Sequence, residues 1–192
     1  MSLRDGRLAY RWYQSKAFAL LACGRREAAL AGFTAMLARW PGDAYALASR
    51  AHLHAQLGQR DAALADARAL TRAHPRRSGD DWFNLAYLLA AAGRHAEAEP
   101  AFREAVRLAP KLDRAWYGLG LSLIRLQRLD DAVAALRRNT ELQPMSPYGW
   151  YQLARVHLER SEADAARTIV RHLQTFEPKV AAQLERDIGL AS

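Results

Sequence analysis

Between residues 79 and 180 the apolar positions come in bursts at helical spacing. Trp82, Leu85, Ala86 and Leu89 share one helix face, a polar break around Gly93 interrupts them, and Ala98, Phe102 and Ala105 start a second face. Two helices joined by a short turn are predicted. The same hairpin then recurs, because Trp82, Trp116 and Trp150 are 34 residues apart, as are Leu85, Leu119 and Leu153, and Ala98, Ala132 and Ala166. Pro110, Pro144 and Pro178 close the three hairpins. Upstream, Pro41 and Pro75 keep the interval of 34, whereas Pro75 and Pro110 are 35 apart, which places one inserted residue near Ser78.

Small residues at Ala86 and Ala98, Gly120 and Ala132, and Ala154 and Ala166 predict a close approach of the two helices with the indole filling the gap beside them. Asp43, Ser78, Asp113 and Ser146 stand where N-caps are wanted, with Pro147 just inside its helix. Pro100 falls near a helix start, where the loss of one backbone donor is tolerable.

This pattern resembles the tetratricopeptide repeat (TPR), whose unit has Trp at its fourth position, Leu-Gly at its seventh and eighth, Ala at its twentieth and Pro at its thirty-second. Five repeats fit, 10–43, 44–77, 79–112, 113–146 and 147–180; the first two depart most, with Tyr13 and Leu47 in place of Trp and Lys16 and Arg50 in place of Leu. The resemblance implies an all-α fold, a right-handed α-α superhelix (solenoid) of five hairpins forming a single domain over residues 1–192. Residues 179–189, with Val180, Leu184 and Ile188 on one face, are expected to be a C-terminal capping helix. At the other end Trp12 sits where a preceding repeat would pack, which leaves a homodimer contact through the N-terminal end open.

Composition narrows the class. Half of the residues are apolar and a quarter charged, as in a soluble, helix-rich protein. No apolar run approaches the roughly 20 residues of a membrane helix. Leu20 to Cys23 resemble a lipoprotein cleavage box, but the segment runs on into the first repeat, so a cytoplasmic protein is expected. The abundant Arg and Ala suggest a GC-rich, bacterial source. Residues 1–77 carry 13 basic and 5 acidic side chains and residues 78–192 carry 15 of each, so the net charge of +8 belongs to the N-terminal part.

Catalytic and metal-binding constellations are not found. His52 and His54 point roughly 200° apart on a helix, and no phosphate loop or serine elbow occurs. Neither an enzyme nor a cofactor is expected. The acidic pairs Asp80 with Asp81 and Asp130 with Asp131 read as residues favouring the positive end of a helix dipole.

The resemblance implies binding instead, in a concave groove lined by the first helix of each hairpin. Carried over by repeat position, the groove residues are Tyr45 and His52; Phe83, Asn84 and Tyr87; Arg114, Tyr117 and Arg125; and Tyr148, Tyr151, Gln152 and Arg155. Aromatic rings interleaved with guanidinium and amide groups suit a peptide segment of a partner protein. Gly118 is expected to leave space beside Tyr117. The carboxylate clamp of chaperone-tail adaptors is absent in all three frames, for example Gln14, Phe18, Ser49, Asp80 and Asn84 in the first. The alternative is a module that binds nucleic acid or an anionic membrane surface through Arg25, Arg26, Arg39, Arg60, Arg68, Arg72, Arg76 and Arg77; nucleic acid is disfavoured because the groove lacks a regular basic stripe.

Overall fold

The computed structural model describes residues 3–187, and among these it contains eleven helices and no strand. They are α1 (Leu3–Ala22), α2 (Arg26–Arg39), α3 (Ala44–Gln56), α4 (Arg60–Ala73), α5 (Gly79–Ala91), α6 (His95–Leu108), α7 (Asp113–Arg125), α8 (Leu129–Leu142), α9 (Pro147–Glu159), α10 (Ala163–Gln174) and α11 (Pro178–Asp187). Each of the five expected repeats holds one pair of helices, which is the α-solenoid architecture of TPR repeats. The chain divides into two compact units, Met1–Leu88 and Leu89–Ser192. In the first, α1 to α4 pack in succession; in the second, α6 to α10 do so, and α11 lies on α10 with a lighter touch on α9.

The same backbone device ends the first helix of every repeat. Its fifteenth residue lies in the left-handed region: Gly24, Gly58 and Gly93 at φ 70 to 74°, then Gln127 at 58° and Ser161 at 63°. The next amide reaches back to the carbonyl five residues earlier, as in Arg25 to Leu20 (2.9 Å) and Arg128 to Leu123 (2.9 Å). Glycine adopts this conformation without a Cβ penalty, whereas Gln127 and Ser161 adopt it against one.

Close helix approach extends to the first two repeats. Ala29, Ala63, Ala98, Ala132 and Ala166 at the twentieth position are fully buried, and at the eighth Ala17, Ala51, Ala86, Gly120 and Ala154 are buried as well. A Cβ on Gly120 would come within 2.7 Å of Leu136 Cγ, so no methyl fits there. Each indole is half-buried and carries out a second task. Its N–H donates to the proline carbonyl of the preceding loop, Trp82 to Pro75 (2.8 Å), Trp116 to Pro110 (2.9 Å) and Trp150 to Pro144 (2.8 Å). The first tether spans seven residues and the others six, so the extra residue near Ser78 is taken up in the loop.

The two divergent repeats carry compensations. Arg50, in place of Leu, reaches from α3 to the buried Asp66 of α4 through paired bonds of 2.7 Å and also donates to Thr34. In the first repeat Tyr13 packs edge-on against Trp40, which also receives Tyr10 at 5.3 Å, over a core of Ala17, Phe33 and Met36. A further variation distinguishes the second and fifth repeats. Positions eleven and sixteen are Leu and Arg in the other three, but here His54 Nδ1 meets Gln59 at 2.5 Å, and the buried His157 meets Glu162 at 2.6 Å. That bond, aided by Arg160, holds the Glu162 carboxyl below its ordinary range.

Some expected caps shift. Asp43 caps α3 by accepting from Ala46 N at 2.8 Å, and Ser78 accepts from Asp80 N at 3.0 Å. Asp113, however, is the first residue of α7 rather than its cap; Leu112 occupies that place. Ser146 has the position but makes no capping bond, and Pro147 begins α9 as expected. The acidic pairs do more than face a dipole: Asp81 is buried against Arg77, at 2.7 and 2.8 Å, and Asp130 meets Arg160 at 2.9 Å. On α11, Ala181 and Leu184 are the buried residues, Val180 is half-buried, and Ile188 lies outside the described residues.

Two stability outcomes follow. Removing one member of a buried ion pair costs about 3 to 5 kcal/mol; with Arg50 partly exposed, Asp66→Ala should cost about 2 to 3 kcal/mol, while the double variant Arg50→Leu with Asp66→Leu should stay within about 1 kcal/mol of the parent in urea unfolding. Relieving the left-handed strain through Gln127→Gly should stabilise the protein by about 0.5 to 1 kcal/mol, read from the same unfolding midpoint.

Candidate functional site

Placement of the expected groove residues follows from their helices. In the first unit they fall into three environments. Tyr45, on α3, is half-buried and packs edge-on against the core ring of Phe33 at 5.9 Å, so much of it belongs to the hairpin interior. His52 is exposed, with Nε2 2.8 Å from the Gln56 amide one turn later. On α5, Phe83 and Tyr87 are four residues apart and stack at 6.1 Å with their planes 29° apart; Asn84 is exposed on the same helix, and Tyr87 is 59% exposed.

In the second unit the first helices of two successive repeats, α7 and α9, lie close to one another. Gln152 on α9 comes within hydrogen-bonding reach of the Tyr117 hydroxyl on α7, and Tyr148 stands near the same hydroxyl. Burial pushes the Tyr117 hydroxyl above the ordinary tyrosine value, with the Gln152 bond opposing in part, so this group is a neutral donor and acceptor at physiological pH. Tyr148 is 71% exposed and Met145, in the loop before α9, 66% exposed. Arg114, Arg125 and Arg155 are exposed on the same two helices. A half-buried polar pair beside two exposed, adaptable side chains offers both hydrogen bonding and apolar contact to a ligand.

One expectation needs correction. Gly118 does not open space beside Tyr117: a Cβ there would run into the ring of Phe102 from α6, so this glycine serves packing. Tyr151 is already engaged, donating its hydroxyl to Asp187 of α11, while Gln183 holds the other carboxylate oxygen at 2.6 Å. The Asp187 bond comes first among the influences that raise the Tyr151 hydroxyl above its ordinary value, and Arg155 acts in the opposite sense. Repeat logic misses Asp187 because α11 lies beyond the last full period, and it misses Met145 because the repeat leaves the loop residue undefined.

The basic residues of the first unit are also sorted. Arg77 is bound to Asp81, and Arg39 lies 5.4 Å over the Trp40 ring. Arg25, Arg26, Arg60, Arg72 and Arg76 are exposed. Among the described residues no group of three or more His, Cys, Asp or Glu gathers as a metal site, and no helix is long and apolar enough to cross a membrane. Leu20, half-buried against the core, and the exposed Cys23 belong to the end of α1 and the turn after it.

Comparison with known proteins agrees with this architecture. Two models of the tetratricopeptide repeat match, one over residues 48–113 and one over 89–151, together more than half of the chain. No curated protein matches the sequence. Among solved structures, YrrB, a TPR protein with an unusual peptide-binding site, is 20% identical with a TM-score of 0.82, covering 91% of this chain and 90% of that one. A structure of MamA is 16% identical with a TM-score of 0.81, covering 90% and 94%. MamA from Desulfovibrio magneticus RS-1, residue 41 to its end, is 20% identical with a TM-score of 0.75, covering 93% and 96%. At such identities the likeness is one of fold.

Tyr151→Phe should loosen α11 by less than about 1 kcal/mol, because the bond is solvent-exposed, seen as faster hydrogen exchange confined to residues 178–187. The raised Tyr151 value means that the bond's contribution is complete below the ordinary tyrosine value of about 10 and is lost as pH rises through the elevated one. In the parent protein the protection of these amides, taken relative to the intrinsic exchange rate at each pH, should therefore fall only in alkaline solution, and Tyr151→Phe should abolish that step.

Proposed function

The chain belongs to the tetratricopeptide repeat family, and from that premise we propose that it is a non-enzymatic interaction module holding a peptide segment of a partner protein against α7 and α9. The observation that carries the reading is the Tyr117–Gln152 pair beside the exposed Tyr148 and Met145. A half-buried hydroxyl and amide fix the register of an extended chain by hydrogen bonding, while the tyrosine ring and the thioether adapt to its side chains. Arg114 and Arg155 flank these groups on the same helices and favour a segment with acidic residues. Phe83, Asn84 and Tyr87 of the first unit form a second aromatic patch of the same character. Tyr151 is left out of the contact set, because its hydroxyl fastens α11.

Peptides selected from a displayed random library on the full-length protein test this directly. Tyr148→Ala and Tyr117→Ala should each weaken the selected peptides at least about tenfold, the loss expected when an aromatic anchor is truncated. Circular dichroism should stay unchanged for Tyr148→Ala, whose side chain is exposed. Equal affinity in both variants would place the binding elsewhere on the protein.

A further inference from the structure

α1 differs from every other first helix in what it leaves uncovered. At 100° per residue, Leu20, Tyr13, Ala17 and Tyr10 fall within an arc of about 80°; Ala17 is fully buried and the other three pack on the core of the first unit. Most of the remaining circumference is exposed, with Ala9 and Gln14 half-buried at its edges. At the third position of later repeats stand the buried Ala46, Ala115 and Gly149, but the first repeat has Trp12, 57% exposed. Leu8 is 68% and Phe18 66% exposed, and with Leu21 they make four of the seven large apolar residues that stand exposed among the described residues.

Their arrangement is ordered. Phe18, Ala22, Ser15, Leu8, Ala19 and Trp12 occupy an arc of about 120°. Arg7 and Lys16 border this arc on its two sides, and Arg11 emerges beside Phe18 with a stem long enough to carry its charge outward. Lys16 lies 4.8 Å over the Trp12 ring, the pairing of a flat amphipathic ring with a cation that suits a headgroup layer. From Gly6 to Arg26 the chain has five basic residues and no acidic one.

We propose that α1 docks this protein on an anionic lipid surface, with Leu8, Trp12 and Phe18 at the acyl boundary and Arg7, Arg11 and Lys16 among the headgroup phosphates. Three observations favour lipid over other occupants. The large side chains are spread along about 15 Å of helix with Ser15, Ala19 and Ala22 between them, so they form no continuous ridge for a protein to interlock with, whereas acyl chains conform to such a surface. A second copy of the same face would set cations against cations. A nucleic acid would satisfy the cations but leave the leucine, tryptophan and phenylalanine without a partner.

Flotation of the full-length protein with vesicles tests the proposal, using phosphatidylcholine alone and phosphatidylcholine with about one third phosphatidylglycerol, a content at which juxtaposed basic residues bind appreciably. Binding is expected to the anionic vesicles only, and brominated acyl chains should quench a tryptophan signal that Trp12→Phe removes. Leu8→Ser with Trp12→Ser and Phe18→Ser, all at exposed sites, should cut vesicle affinity at least tenfold while leaving circular dichroism unchanged; Arg7→Glu with Arg11→Glu and Lys16→Glu should do the same. Four results would overturn the proposal: no flotation with anionic vesicles, serine variants that float as well as the parent, a short DNA duplex that binds α1 more tightly than the vesicles do, or a concentration-dependent dimer abolished by the serine variants.

Discussion

The structure rests on how near two helices can come. Where the first and second helices of a repeat cross within a unit, the eighth and twentieth residues are never larger than alanine, and they are buried. That limit sets the spacing of these hairpins. The spacing in turn decides which neighbouring side chains fill the remaining space, Phe33 and Met36 in the first unit, Phe102 and Leu136 in the second. Gly118 and Gly120 show how little room is left, since the ring of Phe102 and the side chain of Leu136 occupy what a methyl would need. A repeat built in this way presents its first helix at a fixed orientation, and recognition can vary only at positions that do not touch the crossing.

Tyr117 and Tyr151 illustrate that separation. They occupy the same repeat position, yet one meets Gln152 of the next first helix and the other Asp187 of α11. The neighbour that follows each tyrosine decides whether it stays available. The last repeat therefore commits this hydroxyl to its own terminal cover, while Tyr148 one turn earlier stays exposed.

The architecture was legible because the crossing constraint writes itself into the sequence every 34 residues, and the indoles and prolines mark the same period. What escaped was pairwise. Arg50 looked like a defect of the second repeat until Asp66, sixteen residues on, proved to be its counterpart. The exchange of Leu and Arg for His with Gln or Glu at positions eleven and sixteen is visible once repeats are aligned, but reading each position separately hides it. Gly118 was misread because a residue beside an expected groove tyrosine suggests room, and only the neighbouring helix reveals Phe102 behind it. Asp113 was misplaced by one residue because acidic side chains serve equally well at the cap and in the first turn.

The indole tethers show how such a chain tolerates a change of length. Trp82 reaches the carbonyl of Pro75 across seven residues, while Trp116 and Trp150 reach theirs across six. The bond acts like an expansion joint: it fixes where the next helix begins in space while the loop beneath it lengthens. The residue gained near Ser78 leaves the tether intact, so a chain of this kind can lengthen at such a seam without renegotiating its interior.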